Sequence, residues 1–488
     1  MYIPEIPKKQ HWDGQFLVSE TKPIREGWVK EIMIGKQSVY LYPQTKFVLV
    51  KDREGNTIGV FIGSIIDVEN EEVISSDVIF KGYDSRQDLE NVIEEFAYSY
   101  GGSWVFIFRI EESVRIYLDS DGTIPVVFEQ LSNIAASTTS LILNDRQYVD
   151  RFDEKLFLSL DVVGQGWFPS GETAHKDLER LICNHYLDLN SMTVHRHWPT
   201  KEFKWTSNIN DTANSIAKIA KSSARALLKQ GKVAMALTGG NETRFLMSAY
   251  KDIRHEFDFV TLSGPTTKRD VYLASKILNL TQVNHQFLPL ISADIEEQRE
   301  WIYQAGHCAS TNMTGYTTLK PLSGYSSFIG GLGGEIGRGF IWRESDNEST
   351  QLTAKSILSR LGLPQIESVV ERVELWMQPL QGMNSLSILD LAYLELRMST
   401  WAFCHSYTTY VPHFHPLICR KSFNLMLNMS PEHKRNKQLI HQGVHSMWPE
   451  LLSVPINRYG NIRDFQDKLS RLSKPSLWLK KMRKLHGS

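Results

Sequence analysis

The stretch that most constrains this chain is Lys232 to Arg244, which reads Lys-Val-Ala-Met-Ala-Leu-Thr-Gly-Gly-Asn-Glu-Thr-Arg. Val233 to Leu237 is a short, unbroken apolar run, as expected of a strand buried on both faces of a parallel sheet. Thr238, Gly239 and Gly240 interrupt it, and two adjacent glycines let a backbone turn sharply, take up φ > 0 and come close to a ligand. Helical spacing resumes from Arg244 to Tyr250. The loop therefore lies at a helix N-terminus, where free N–H groups and the helix dipole favour a phosphate. This predicts a nucleotide site. The Gly-x-x-x-x-Gly-Lys-Ser/Thr and Gly-x-Gly-x-x-Gly spacings are both absent, so it is neither a P-loop nor a dinucleotide fingerprint.

A chain of 488 residues exceeds one ordinary core, so two or three domains are expected. The formal net charge of −1 argues against a dedicated nucleic-acid binder, which needs an excess of Lys and Arg to neutralise phosphates. No apolar run approaches the roughly 18 residues of a membrane span, and the start lacks the charged and apolar regions of a signal peptide. A cytoplasmic protein is expected. Cys183, Cys308, Cys404 and Cys419 have no CxxC or zinc-like spacing and read as buried apolar residues in a reducing compartment.

Up to about residue 200 the pattern is mostly strand. Phe47 to Lys51 and Thr57 to Ile62 flank a Gly-containing turn and form a hairpin. Ser85 to Tyr98 has helical spacing closed by Gly101-Gly102. Ser103 to Ile110, Val114 to Leu118 and Pro125 to Phe128 follow as strands, with Asp119 to Gly122 as a turn, which suggests an antiparallel sandwich. Lys201 to Thr212 is the expected boundary. Beyond it Asp211 caps a helix running through Lys229, and strands at Val233, Glu256 to Leu262 and Val283 to Leu288 alternate with helices at Arg269 to Leu278 and Ala293 to Ala305. That alternation predicts a doubly wound parallel sheet, with ligands at the carboxyl ends of the strands, where Leu237 and Leu262 deliver the chain. From Leu352 onward the reading is largely helical.

Strand, Thr-Gly-Gly-x-Glu-Thr and helix resemble the Ser-Gly-Gly-x-Asp-Ser pyrophosphate loop of the ATP pyrophosphatases. Upstream, Gly101-Gly-Ser-Trp-Val-Phe-Ile-Phe and Tyr117-Leu-Asp-Ser-Asp-Gly-Thr-Ile-Pro are similar to the glutaminase-type domain of the asparagine synthetase family. Gly166-Trp-Phe-Pro-Ser-Gly-Glu-Thr and Asn184-His-Tyr-Leu-Asp-Leu resemble two further segments of that family, in its order. The resemblance implies an N-terminal Ntn-hydrolase-like sandwich (residues 1–200), a C-terminal ATP-pyrophosphatase domain with a helical end (208–460) and a basic tail (461–488). One departure is decisive for chemistry. Class II glutaminases use an N-terminal Cys, whereas Tyr2 follows Met1 here and no cysteine precedes Cys183. The implied domain is a glutaminase fold without glutaminase chemistry, as in β-lactam synthetases and lasso-peptide cyclases.

Residue by residue, the resemblance places Glu242 and Thr243 at the family's Asp-Ser, with Glu242 directed at Mg²⁺ on the ATP phosphates. The extra methylene of Glu leaves the metal shifted outward or lost, and the plainer alternative is a surface Glu near a helix start. Asp270 matches an Asp near the ATP site or simply caps its helix. His285 matches a strand-opening His or is a satisfied core residue. Phe328-Ile-Gly-Gly-Leu-Gly-Gly-Glu335-Ile-Gly-Arg338-Gly339 resembles the family's second glycine loop, with Gly331, Gly333 and Gly339 matching, Glu335 replacing Asp and Ile336 replacing the second acid. Arg338 adds a planar donor for phosphate or carboxylate.

Ser387 to Trp401 resembles the helical segment lining the second-substrate site, or holds a Glu395–Arg397 structural pair. Pro412 to Pro416 resembles the family's Arg-x-Pro-Phe-Leu-Asp turn without its Arg and Asp. The family's terminal Lys is absent. Arg458 occupies its place, and Lys434, Arg435 and Lys437 are alternatives. From Ile462 the tail carries eight Lys or Arg against two acids, so it either docks on a partner or an anionic surface or is a solvated helical end.

The implied activity is an ATP- and Mg²⁺-dependent synthetase that adenylates a carboxylate and passes it to an amine without hydrolysing glutamine. Thr238, Gly239, Gly240 and Thr243 would hold pyrophosphate, with Leu237, Leu262, Asp270, Gly331 and Gly333 around the nucleotide. Glu242 and Glu335 would hold the metal, and Glu335, Arg338 and Arg458 would carry the catalysis. The expected partners are a small-molecule or peptide carboxylate and an amine, with a homodimer possible. The competing expectation is a nucleotide-binding scaffold without turnover.

Overall fold

The computed structural model describes residues 3–82, 89–162, 167–206, 208–308, 317–401 and 410–466. The tail beyond residue 466, Cys404, Gly166 and the predicted helix start at Ser85 lie outside them. The chain is a mixed α/β protein, with antiparallel sheets first and a parallel sheet after. No helix among the described residues is long and apolar enough to cross a membrane.

Two sheets face each other in the first part, one of six strands and one of eight. Gly101–Ile110 shows how its sequence dictates two covered faces. Val105 and Ile107 point into the space between the sheets, against Phe16, Val18 and Val39, while Trp104, Phe106 and Phe108 point the opposite way. Period-two alternation of apolar residues on both faces requires a second cover. Leu89–Ala97 supplies it, packing Ile93 and Ala97 on the outer aromatics. The predicted hairpin is present, with its second strand extended to Thr57–Asp67. The strand expected at Pro125 begins at Val127 instead, since Pro has no N–H for a ladder. The predicted turn closes through the Gly122 N–H, which donates to the Asp119 carbonyl at 3.2 Å.

The parallel sheet has the order His285–Pro289, Phe257–Ser263, Val233–Ala236, Ser327–Ile329, His413–Phe414. All four neighbouring pairs are parallel. From Val233–Ala236 the chain winds outward to one edge, then returns to place Ser327–Ile329 on the other flank. The winding direction reverses between those two strands, so the crevice at their carboxyl ends is the fold's natural ligand position.

Two predicted starts shift. The long helix is Ile209–Leu228, capped by Asn208, whose side chain accepts from the Asp211 N–H at 3.2 Å, so Asp211 is not the cap. The helix after the glycine pair is Asn241–Ala249, beginning three residues before Arg244. The polar residues Asn241 to Thr243 hide that first turn from any apolar periodicity. Ser385–Trp401 is helical as expected, with a π-helical turn over Leu394–Met398. Cys183, Cys308 and Cys419 are free and buried.

Candidate active site

The first glycine loop is built by close packing rather than by unusual backbone. Neither Gly239 nor Gly240 has positive φ, which corrects the left-handed expectation. A Cβ on Gly239 would lie 2.1 Å from Leu273 Cδ1, so glycine is what lets the helix Lys268–Thr281 approach the loop. Asp270 on that helix accepts from the Gly239 N–H at 2.9 Å. Thr267, not Asp270, sits at the helix cap position, so Asp270 belongs to the loop. Thr238 Oγ1 accepts from the Gly240 N–H at 3.1 Å and lies 2.8 Å from Thr243 Oγ1. Both glycine N–H groups are thereby engaged. The helix Asn241–Ala249 starts at Gly240 with no side-chain cap, so the first-turn N–H groups of residues 241–243 are the donors an anion would meet.

The second loop lies directly on this turn. Gly333 has φ +101°, a conformation open to glycine, and is followed by the 3-10 turn Gly334–Arg338. Cβ atoms on Gly331 and Gly334 would lie 2.9 Å from Thr243 Cγ2 and 2.6 Å from Glu242 Cγ. The glycines therefore bring Glu335 beside Glu242. Arg338 links them, donating from Nε to Glu242 Oε1 at 3.0 Å and from Nη2 to Glu335 Oε1 at 3.4 Å. Glu335 also accepts from the Gly333 N–H at 3.1 Å. Burial pushes the Glu335 carboxyl up to about 7, and the Glu242 charge adds to the rise, while Arg338 opposes it. Ile336, at the family's second acidic position, is core.

The antiparallel part contributes a residue that the sequence showed only as part of a turn. Asp121 is fully buried, and neither carboxylate oxygen has a hydrogen-bond partner among the described residues. Burial holds its carboxyl well above the ordinary range. Asp119 and Glu335 raise it further, and Arg180 opposes them. Tyr393 lies in the same field: burial raises its phenol first, then Glu335, with Arg397 and Arg338 opposing. Asp119, Asp121 and Glu335 thus act on one buried region, opposed there by Arg180, Arg338 and Arg397.

Other expected residues are distributed unevenly. Leu237 belongs to the main core cluster and Leu262 packs on the separate cluster across the sheet, so their side chains do not share one wall of the crevice. The Asn457 N–H donates to the Gly239 carbonyl at 2.8 Å, which brings the segment before Arg458 onto the first loop. Buried Arg244 fixes that segment by donating to the carbonyls of Leu451 and Val454, both at 2.8 Å. Arg458 itself is exposed. Lys434 is buried against Asp390, and Arg435 donates to the carbonyls of Arg343 and Asp346, so neither is a free replacement for the missing Lys. His285 bonds to Thr261 Oγ1 at 2.8 Å, so it is satisfied, but it is half-buried at the sheet edge rather than a core residue. Glu395 is paired with Arg196 at 2.6 Å rather than with Arg397.

Glu242 and Glu335 are hard oxygen donors of the kind Mg²⁺ accepts. No group of three or more His, Cys, Asp or Glu able to hold a metal occurs among the described residues. A metal here would take these two carboxylates and complete its shell with phosphate oxygens and water, which is how Mg²⁺ is usually bound.

The sequence matches no protein-family model and no curated protein. Among solved structures it is similar to one described as the allosteric regulatory enzyme of purine biosynthesis, at 9% identity over 74% of this chain and 86% of that one, TM-score 0.23. It is also similar to glutamine phosphoribosylpyrophosphate amidotransferase from B. subtilis in complex with ADP and GMP, at 11% identity over 58% and 61% of the two chains, TM-score 0.20. A third is NMN synthetase from Francisella tularensis, at 10% identity over 42% of this chain and 94% of that chain, TM-score 0.19. Likenesses at these scores carry no argument about activity, so the functional reading rests on the geometry of the two glycine loops.

Proposed function

We propose that the chain is an ATP-dependent, amide-forming synthetase of asparagine-synthetase type, with a sandwich domain (1–200) that does not hydrolyse glutamine and an ATP-pyrophosphatase domain (208–460). The observation that carries this reading is the meeting of Glu242 and Glu335 across Arg338 at the point where the strand winding reverses. In the proposed reaction a substrate carboxylate oxygen bonds to the α-phosphorus of ATP and pyrophosphate leaves. An amine then attacks the acyl carbon, loses a proton and displaces AMP.

The uncapped N–H groups of residues 241–243 would receive pyrophosphate oxygens, aided by the helix dipole. Asp270 and Thr238 hold the loop in the shape that presents those donors. Glu242 and Glu335 would hold Mg²⁺, whose charge would offset the phosphates when bound. Arg338 would stabilise charge developing on the phosphoryl oxygens, and exposed Arg458, tethered beside the first loop, would do so at the open side.

The test is ATP–pyrophosphate exchange with Mg²⁺, offered pooled amino acids and cell extract, beside Glu242→Ala and with ATP binding followed by calorimetry. We expect exchange to fall at least about 100-fold in the variant, the scale of losing a positioned electrostatic group. Absence of ATP binding would sink the proposal. A second reading, a nucleotide-binding scaffold without turnover, is favoured by Arg338 already bonding both carboxylates. Binding with no exchange under any acid offered is its expected signature.

A further inference from the structure

Arg397 is built differently from the other arginines around the site. Its guanidinium carbon lies 5.9 Å from the ring centroids of Trp167, Phe340 and Trp401 alike. No ion pair or side-chain hydrogen bond is made by its guanidinium among the described residues, whereas Arg196, Arg338, Arg360 and Arg420 all bond carboxylates. Aromatic faces hold a guanidinium in place through their quadrupoles and leave its five N–H donors unspent. The π-helical turn Leu394–Met398 sets this up. It carries Glu395, which pairs with Arg196 of the sandwich, and Arg397, which meets the aromatic rings. Single π turns in helices recur at functional sites.

The aromatic group adjoins the two-loop centre. Phe340 has Arg338 over its ring at 4.8 Å and Arg397 over it at 5.9 Å, and it packs on Tyr393 at 4.7 Å. Phe340 is 43% exposed, while Trp167 is buried. The group therefore has a solid apolar back and an open aromatic face, with a planar cation beside it.

Resting on the synthetase reading above, we propose that Arg397, Phe340 and Trp401 form the recognition site for the acid substrate, and that this substrate is a carboxylate carried on an aromatic body. The guanidinium fork pairs a carboxylate through two parallel N–H···O bonds, and the ring of the ligand stacks on Phe340. A short aliphatic acid would satisfy the fork and leave the aromatic face bare.

The experiment is calorimetric titration of the full chain with 3-phenylpropionate, benzylamine and succinate, in the presence and absence of Mg²⁺ with a non-hydrolysable ATP analogue. We expect 3-phenylpropionate to bind, and benzylamine and succinate to bind at least about 10-fold more weakly. Arg397→Gln and Phe340→Ala should each weaken 3-phenylpropionate by about 10-fold or more, the scale of one lost charge-assisted contact or stacking face. Arg397→Lys, which keeps the charge and loses the fork, should recover only part of the affinity. Circular dichroism and melting curves check that the variants fold, and exposed Phe340 gives a variant whose folding does not depend on a buried charge. Failure of 3-phenylpropionate to bind in both nucleotide conditions, equal binding of succinate, or unchanged binding in Arg397→Gln would overturn the proposal. Because the analogue's own binding is read in the same titrations, loss of the nucleotide site and loss of the acid site give different results.

Discussion

Two buried glutamates in this molecule sit in opposite electrostatic circumstances. Glu395 is fully buried, yet it accepts from Asn184, from both terminal nitrogens of Arg196 and from the Trp376 indole, at 2.6 to 2.8 Å. Burial alone would raise its carboxyl, but Arg196, the neighbouring His185 and the Asn184 amide bring it below the ordinary range. Glu335 has backbone N–H groups and one nitrogen of Arg338, with Glu242 beside it, and it is raised. The difference separates a structural joint from the candidate site. Around Glu395 every acceptor is met from within, by residues of both parts of the chain, and nothing remains for a ligand. Around Glu335 burial, with the neighbouring Glu242, outweighs Arg338 and leaves the carboxyl raised, a perturbation of the kind that clusters at functional sites.

The most severe way to break this contrast is Glu395→Ala. It leaves Arg196 buried opposite a hole and removes an acceptor from Asn184 and Trp376, so we expect a loss of about 3–5 kcal/mol in chemical denaturation. A loss under about 1 kcal/mol would show that the joint is not structural. Glu335→Gln sharpens the contrast from the other side. A carboxyl raised in the folded state is protonated there while still ionised in the unfolded chain, so the folded state binds more protons between the ordinary Glu range and about pH 7. Stability should therefore fall as pH rises through that window in the wild type. Glu335→Gln should flatten the slope and stabilise the chain at pH 8 by on the order of 2 kcal/mol, read from melting at several pH values. An unchanged slope would refute the assignment. The smallest effect is expected for Asp121→Asn, a gain of about 1 kcal/mol at neutral pH from removing an unpartnered buried carboxylate. A destabilised variant would mean that Asp121 is held by contacts beyond those described.

Much of the candidate site's local geometry is legible in sequence because glycines and apolar runs are local signals. The strand at Val233, the hairpin at Phe47 to Ile62 and both glycine loops could be marked from neighbouring residues alone, and the structure brings together Glu242, Glu335 and Arg338 from those loops. What could not be read is long-range. The partner of Glu395 is 199 residues away at Arg196, not two residues away at Arg397. Asp121 looked like turn chemistry because the residues that surround it, Glu335 and Arg180, come from elsewhere in the chain. Strands of two or three residues, such as His413–Phe414, are too short for any period to show. The role of Asp270 was equally hidden, because an Asp in a first helical turn reads as a cap whether or not a glycine loop leans on it.

The return of the chain to the far flank of Val233–Ala236 also has a kinetic meaning. Glu242 and Arg338 are 96 residues apart, and their meeting requires Ser327–Ile329 to lie beside the first strand. Closing such a loop is entropically late, since non-local pairing must be completed before its contacts repay the ordering. The proposed anion site at this crevice should thus be among the last features a refolding chain completes, after its local hairpins and helices.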